Sequence, residues 1–483
     1  MNYQKNQTIT VKIEDMGAEG EGIGKVEGYT LFVKDALIGD LVEVKIVKPK
    51  KSYAFAKLER IIEPSKDRIE PPCLYHRQCG GCQIQALSYA TQLKFKEEKV
   101  RNHLIRIGRF EDTLINQVME PIIGMSEGFR YRNKAQFPVG VDKDGNLITG
   151  FYAGRTHSII SNTDCMLGAS INKNILEAVL TYMKKYNITA YDEKNSSGVV
   201  RHILIREGFH TGEVMVCLVV NGDRLPESSD LITHLQQAIK GKWNLKSVLL
   251  NCNTEDTNVI LGKKTEVLWG QSYITDYIKD ISFQISAQSF YQVNSMQTEK
   301  LYTIAIDYAG LTGKEIVWDL YCGIGTITLC MAKQAAHVFG VEIVPKAIED
   351  AKRNAQNNKI TNTTFYEGKA EEVLPDFYEK ERAAGRDPEV DVIVVDPPRK
   401  GCDVTLLDTI SKMQPKRVVY VSCDSATLAR DLRYLCDRGY EIKKVRPVDQ
   451  FAQTVHVETV CLLSKLHEAK HHVNVTLDKE YKY

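Results

Sequence analysis

Val317-Trp318-Asp319-Leu320-Tyr321-Cys322-Gly323-Ile324-Gly325-Thr326 reads as a buried strand that runs into a glycine turn and then into a helix. Val317 closes a short apolar run, which Asp319 interrupts. Gly323 and Gly325 permit a tight turn with close approach of the backbone, and Thr326 to Ala332 is apolar enough to pack a helix on a sheet. Strand, glycine turn and helix in that order make a nucleotide-type site at the carboxyl end of a parallel strand.

A dinucleotide fingerprint wants a third glycine at 328, where this chain has Thr328. Asp319, Gly323 and Gly325 form an Asp-x-x-x-Gly-x-Gly pattern that instead resembles motif I of the class I methyltransferases, which bind S-adenosylmethionine (SAM). Val338-Phe339-Gly340-Val341-Glu342 is a second strand, ending in a carboxylate placed to take both ribose hydroxyls of an adenosine. Pro345 opens a helix whose apolar face is Ala347, Ile348, Ala351 and Ala355. The resemblance implies an α/β, Rossmann-like domain that holds SAM through Tyr321, Gly323, Gly325 and Glu342.

With 483 residues the chain has room for two to four domains. Its 26% charged and 43% hydrophobic residues are ordinary for a soluble protein. No apolar run reaches the ~18 residues of a membrane span. The start, Met1 to Gln7, is polar, so a cytoplasmic location is expected. A net charge of +1 excludes a global basic field, leaving only local clusters to meet nucleic acid. One runs from Lys45 to Arg60 with Tyr53 and Phe55 interleaved; a second comprises Lys94, Lys96, Lys99, Arg101, Arg106 and Arg109. Such runs are ordinarily solvated faces. Twelve cysteines in a reducing compartment are not a disulfide framework, so their spacing has to be read instead.

Residues 1–62 carry short alternating strands, fitting a small β-barrel. Gly20-Glu21-Gly22-Ile23-Gly24-Lys25 and Gly39-Asp40-Leu41-Val42-Glu43-Val44 resemble the TRAM domain, an OB-like RNA-binding barrel. That makes Lys45 to Arg60 a phosphate-tracking, base-stacking surface. Residues 63–285 form a central α+β domain, entered through a proline-rich linker that leads to Cys73, Cys79 and Cys82. Three cysteines within ten residues, two flanking Gly80-Gly81, signal a metal site, with Cys165 the candidate fourth ligand. Spacing alone suits zinc as well as a [4Fe–4S] cluster. Cys-x5-Cys-Gly-Gly-Cys with a distant single cysteine is similar to the iron–sulfur site of the RNA uracil-C5 methyltransferases, which favours the cluster. A radical-SAM enzyme would show a first spacing of three, not five. Phe129 to Phe137 alternates cations with aromatics and is read as a strand offering Tyr131 or Phe137 to RNA bases. His76, His157 and His202 are read as structural.

Residues 286–466 are the SAM domain, and 467–483 a polar tail. Gln288 to Asn294 resembles the same family's Ser-Phe-x-Gln-x-Asn segment, which assigns Gln292 to SAM. Asp391 to Gly401 is a buried strand ending in Asp396-Pro397-Pro398, and Arg417 to Ser422 delivers Cys423 to the same sheet edge, where a cysteine is a candidate nucleophile. C5 of uracil is too weak a nucleophile to take a methyl group unaided, so a thiolate adds first at C6 and a base later removes the C5 proton. Resemblance to the 23S rRNA uracil-C5 methyltransferases covers nearly the whole chain. It assigns the thiolate to Cys423, the base to Glu458 and a place beside the cofactor to Asp396. A thiol of ordinary pKa needs an electropositive site or a nearby base to act. The substrate expected is a flipped-out uridine of 23S rRNA, with no obligate protein partner. Transfer RNA is the alternative substrate. A catalytically silent, RNA-binding iron–sulfur protein is the other reading.

Overall fold

A computed structural model describes residues 3–154, 156–388 and 390–466; the tail 467–483 lies outside the described residues. Five strands, Thr8–Met16, Gly22–Val26, Tyr29–Lys34, Leu41–Pro49 and Tyr53–Glu63, close into a barrel. Tyr29–Lys34 runs parallel to Tyr53–Glu63, and Thr8–Met16 pairs with both Gly22–Val26 and Leu41–Pro49. Period-two alternation sends Val11, Ile13, Leu31, Val33, Val42, Val44 and Ile46 inward to one core. Closure leaves no free edge to pair with another chain.

The central sheet has seven strands, in the spatial order Lys264–Gly270, Asn244–Cys252, Glu213–Val220, Val200–Glu207, Lys134–Val141, Leu147–Tyr152 and Ile159–Ser161. Helices Ile171–Lys185 and Ser228–Ala238 cover one face, where Val214, Val216 and Leu218 are buried. The opposite residues, Leu204, Met215, Cys217 and Leu249, share a core with the hairpin Tyr273–Ile278/Ile281–Ser286 and the helix Ser295–Ala309. The pairing strand begins at Lys134 rather than at Phe129. Arg130 has φ +53°, which breaks an extended run, and Tyr131 and Phe137 are both buried. Neither aromatic offers a stacking face, which corrects the expectation for this stretch.

The last sheet comprises β1 (Ile316–Leu320), β2 (His337–Glu342), β3 (Thr363–Glu367), β4 (Val392–Val395), β5 (Arg417–Ser422), β6 (Tyr440–Val448) and β7 (Glu458–Lys465), in the order β3-β2-β1-β4-β5-β7-β6. Only β7 is antiparallel to its β5 neighbour, and the order reverses between β1 and β4, where open α/β sheets bind ligands. Helix Tyr89–Arg106 buries Val100 and Leu104 in this sheet's core and packs on the helix Ser425–Cys436. Its Lys96 is fully buried against Asp449 at 2.5 Å, and Lys99 donates to Ala18 O and Val455 O, so part of the second basic cluster is internal structure rather than a solvated face. No helix among the described residues is long and apolar enough to cross a membrane.

Candidate active site

The carboxyl ends of β1, β2, β4 and β5 open into a cavity of about 760 Å³. Tyr321, Gly323 and Gly325 have φ of +75°, +56° and +85°, giving the sharp turn that ends β1. The two glycines do different work. A Cβ on Gly323 would meet nothing within 4 Å, because that face looks into the cavity, whereas one on Gly325 would come 3.3 Å from Ala351 Cβ. Gly325 leaves room for the next helix and does not line the cavity, unlike Tyr321 and Gly323. Glu342, at the end of β2, accepts hydrogen bonds from Gly323 N at 3.2 Å and Val344 N at 2.9 Å, so its carboxylate is fixed to the turn.

Asp319 lies beneath that turn and lines the cavity, a site residue the sequence reading quoted but did not assign. Its Oδ2 accepts from Thr328 Oγ1 at 2.5 Å while Oδ1 has no partner among the described residues. The threonine that displaces a third glycine is thus the anchor of this carboxylate. Burial, with the charge of Glu342 added, pushes Asp319 up to about 7. Gln292 also lines the cavity. Its carbonyl accepts from Asn133 Nδ2 at 2.9 Å, and Arg206 donates to Ala287 O and Ser289 O, so the central sheet holds this segment in place.

Asp396, Cys423 and Glu458 line the same cavity. Ser422 of β5 pairs with Thr459 of β7, so Cys423 and Glu458 are the next residues across one antiparallel ladder, although 35 positions separate them in sequence. Glu458 is 3% exposed, and burial, reinforced by Asp396, pushes it up to about 8. Burial and then Asp319 push Asp396 up to about 7. Burial first, then Glu458 and Asp396, push the Cys423 thiol up to about 12, opposed by Arg399. Two carboxyl groups and one guanidinium thus face Cys423; of the two settings expected, an electropositive site or a nearby base, the carboxyl neighbours match the second. Asp424 caps the following helix through Ala426 N and Thr427 N, while Thr427 Oγ1 donates to Arg399 O at 3.1 Å. That bond ties the Asp-Pro-Pro-Arg loop to the turn bearing the cysteine. Cys402 lies outside the cavity, its backbone N donating to Asp431.

The sequence profile of the tRNA (Uracil-5-)-methyltransferase family matches residues 227–466, and that of the TRAM domain matches residues 3–58. An uncharacterized RNA methyltransferase of Halalkalibacterium halodurans is 50% identical over 95% of this chain and 97% of its own length. The chain belongs to the RNA uracil-5-methyltransferase family. Another relative, an uncharacterized RNA methyltransferase of Clostridium tetani, is 46% identical over 95% of this chain and 97% of its own. Among solved structures, Pyrococcus abyssi tRNA (uracil-54, C5)-methyltransferase in complex with S-adenosyl-L-homocysteine is 26% identical, with a TM-score of 0.75 over 94% of this chain and 100% of that one.

In this methyltransferase one wall of the cavity, carrying Phe451, Thr454 and His456, belongs to the connection between β6 and β7. Its carbonyls are held from elsewhere in the chain. Gln297 Nε2 donates to Asp449 O, Asn294 Nδ2 to Gln450 O, Lys96 Nζ to Phe451 O, Tyr131 OH to Ala452 O and Lys99 Nζ to Val455 O. Burial, with Arg399, pushes His456 down to about 4, so its imidazole is neutral at pH 7.

A second cavity, of about 480 Å³, is lined by Cys73, Cys79, Cys82 and Cys165. No group of three or more His, Cys, Asp or Glu side chains among the described residues closes on a single metal ion. Gly81 N lies 3.4 Å from Cys79 Sγ, and Gln85 Nε2 lies 3.7 Å from Cys82 Sγ. His76 and His202 also line this cavity, whereas His157 is exposed and bonded to Glu193. Gly81 and Arg132 border both cavities. On the barrel's outer face the rings of Phe32, Tyr53 and Phe55 pack together at 5.6–5.7 Å, with Phe55 45% exposed. Lys34 lies beside Lys57, Lys57 beside Lys45, and Phe55 beside Lys48 across the ladders.

Proposed function

We propose that this methyltransferase modifies C5 of uridine in 23S rRNA, with Cys423 as nucleophile and Glu458 as base. The observation that carries the reading is the placing of Cys423 and Glu458 one step beyond the last β5–β7 pair, Ser422 with Thr459, in one cavity with the Gly323–Glu342 turn. SAM, when bound, supplies a methyl group made electrophilic by its sulfonium. Gln292, Tyr321, Gly323 and Glu342 hold the cofactor, and Asp396 stands between it and the base. Cys423 reacts as its thiolate, its proton having passed to solvent: the sulfur bonds C6 of the uracil, and the C5=C6 electron pair moves toward the C4 carbonyl, leaving C5 nucleophilic. Once C5 is methylated, Glu458 removes its proton, the pair returns to C5=C6, and the sulfur leaves. Arg399 is the cation that favours the thiolate and the enolate. The partner base is a looped or flipped-out uridine, because a stacked ring would hide its faces. The Phe32–Tyr53–Phe55 face and its lysines hold unpaired RNA beside it.

Cys73, Cys79, Cys82 and Cys165 would hold a [4Fe–4S] cluster. The four thiols line one cavity, and it is the likeness of the Cys-x5-Cys-Gly-Gly-Cys spacing to the family's iron–sulfur site that favours the cluster over zinc. The centre would tie the Cys73–Cys82 segment to the Cys165 loop. A tRNA substrate is the second reading, favoured by the likeness along the full length of the Pyrococcus abyssi enzyme. Anaerobically purified protein, labelled SAM, and unmodified 23S rRNA and tRNA in separate reactions decide between them. Labelled 5-methyluridine in rRNA alone supports the first reading, label in tRNA alone the second. Label in neither, with SAM bound, removes both.

A further inference from the structure

Gln453 lines neither cavity but is bonded to Gln83 and Ile84, which follow the cysteine loop that borders both. It is 4% exposed and has φ +71°, a left-handed conformation that a non-glycine residue keeps only when its surroundings impose it. Those surroundings come from three other segments. Its backbone N donates to Gln92 Oε1 at 3.0 Å, and its Oε1 accepts from Gln92 Nε2 at 2.9 Å. Its Nε2 donates to Gly128 O at 3.4 Å. Its carbonyl accepts from both Gln83 N, at 3.1 Å, and Ile84 N, at 3.2 Å, one and two residues after Cys82. The contact is returned by Gln83, whose Oε1 accepts from Val455 N at 3.4 Å and whose Nε2 donates to Gly80 O at 2.9 Å. Gly80, Gly81 and Gln83 line the catalytic cavity, and Cys79, Gly81 and Cys82 line the other.

We propose that Gln453, clamped by Gln83 and Ile84, is a positioning residue through which the four-cysteine centre sets the wall bearing Thr454 and His456 and leading to Glu458. The inference rests on the methyl-transfer reading above and assigns the cysteine loop a task in it. The loop reaches no cofactor-binding residue through this clamp; Gln292 is held instead through Asn133, and Glu342 by its own turn. Disturbing the clamp therefore separates the two halves of the cavity: the uracil end is lost and the SAM end is kept.

The test uses the full-length, anaerobically purified protein and RNA in which 5-fluorouridine replaces uridine. With fluorine at C5 the base has no proton to remove, so the Cys423–C6 bond persists and is read as a protein–RNA adduct. Gln453→Ala keeps the strained backbone and the Gln83 and Ile84 bonds to its carbonyl, and removes the side-chain bonds to Gln92 and Gly128 that hold the carbonyl against them. It is expected to slow adduct formation at least tenfold and to leave SAM affinity, read by calorimetry, within twofold. Gln83→Ala, at a half-buried position, gives a second variant with the same expected split. Cys79→Ser is expected to speed hydrogen exchange of the 453–457 amides at least tenfold, a readout independent of activity. Adduct formation within twofold of wild type in both Gln variants overturns the proposal. So does unchanged exchange at 453–457 in Cys79→Ser, and so does an equal loss of SAM affinity and adduct, which would mark general loosening. A wild-type protein that binds SAM yet forms no adduct strikes at the uracil reading itself.

Discussion

Both cavities are built around cysteines, but their neighbours differ. Cys423 faces two carboxylates and one arginine, from strands adjacent in one sheet. Cys73, Cys79, Cys82 and Cys165 face one another, from two loops held by different parts of the chain. A lone thiol beside a base suits reversible bonding to carbon; several thiols around a void suit ligation. Neighbours rather than residue type set the task, and variants of each cavity should fail in distinguishable ways.

The largest effect should come from Cys423→Ala. Methyl transfer is expected to fall by at least ~10³-fold with SAM affinity kept, whereas Cys165→Ala should lose bound iron and also keep SAM affinity. Equal activity in wild type and Cys423→Ala would break the contrast. Glu458→Gln comes next: it should accumulate the adduct on ordinary uridine RNA and slow turnover by ~10²–10⁴-fold.

The same residue gives a pH signature. Because burial holds Glu458 up at about 8, the carboxylate that accepts the C5 proton grows in as pH rises from 7 to 9, and turnover should rise with it. Stability runs the other way. Between the unfolded value near ~4 and the folded value of about 8 the native state binds more protons than the unfolded chain, so this group's contribution falls as pH rises through that window. Glu458→Gln removes that fall, and its Tm should exceed wild type by roughly 2–4 °C at pH 8.5, with no gain at pH 4. A smaller effect, about fivefold weaker SAM binding, is expected for Gly323→Ala, since alanine at φ +56° costs roughly 1–2 kcal/mol. The smallest, about fivefold weaker binding of single-stranded RNA with SAM affinity unchanged, is expected for Phe55→Ala on the barrel.

Much of this was legible because the decisive signals are local. Gly323 with Glu342, Asp396-Pro397-Pro398 and the Cys73–Cys82 spacing each occupy one strand end or one loop, and periodicity places those ends on one side of a sheet. The barrel was legible for the same reason: alternation over Thr8 to Leu58 needs no long-range information. What sequence did not disclose is which side chains are taken up by partners far along the chain. Lys96 reads as a surface cation but ends in Asp449, more than 350 positions away. Tyr131 reads as a base-stacking ring, yet its hydroxyl serves Ala452 O. Gln453 has no signature at all, since its left-handed backbone follows from Gln83, Ile84 and Gln92 rather than from its own preference. Asp319 was within reach, as the first letter of a motif already read, and Thr328 marks its partner.

The wall from Asp449 to Val455 has a consequence for how the chain reaches its active form. Its carbonyls are satisfied by donors near residues 83–84, 96–99, 131 and 294–297, so it gains little from any ladder of its own. Closing it brings together positions separated by more than 350 residues, a contact order that local helix and hairpin formation cannot shortcut. The glycine turn and parallel strands from 316 onward can condense early, but the reactive end waits until barrel, cysteine segment and central sheet have docked. A chain caught partway would thus hold the glycine turn without the wall that carries Phe451, Thr454 and His456.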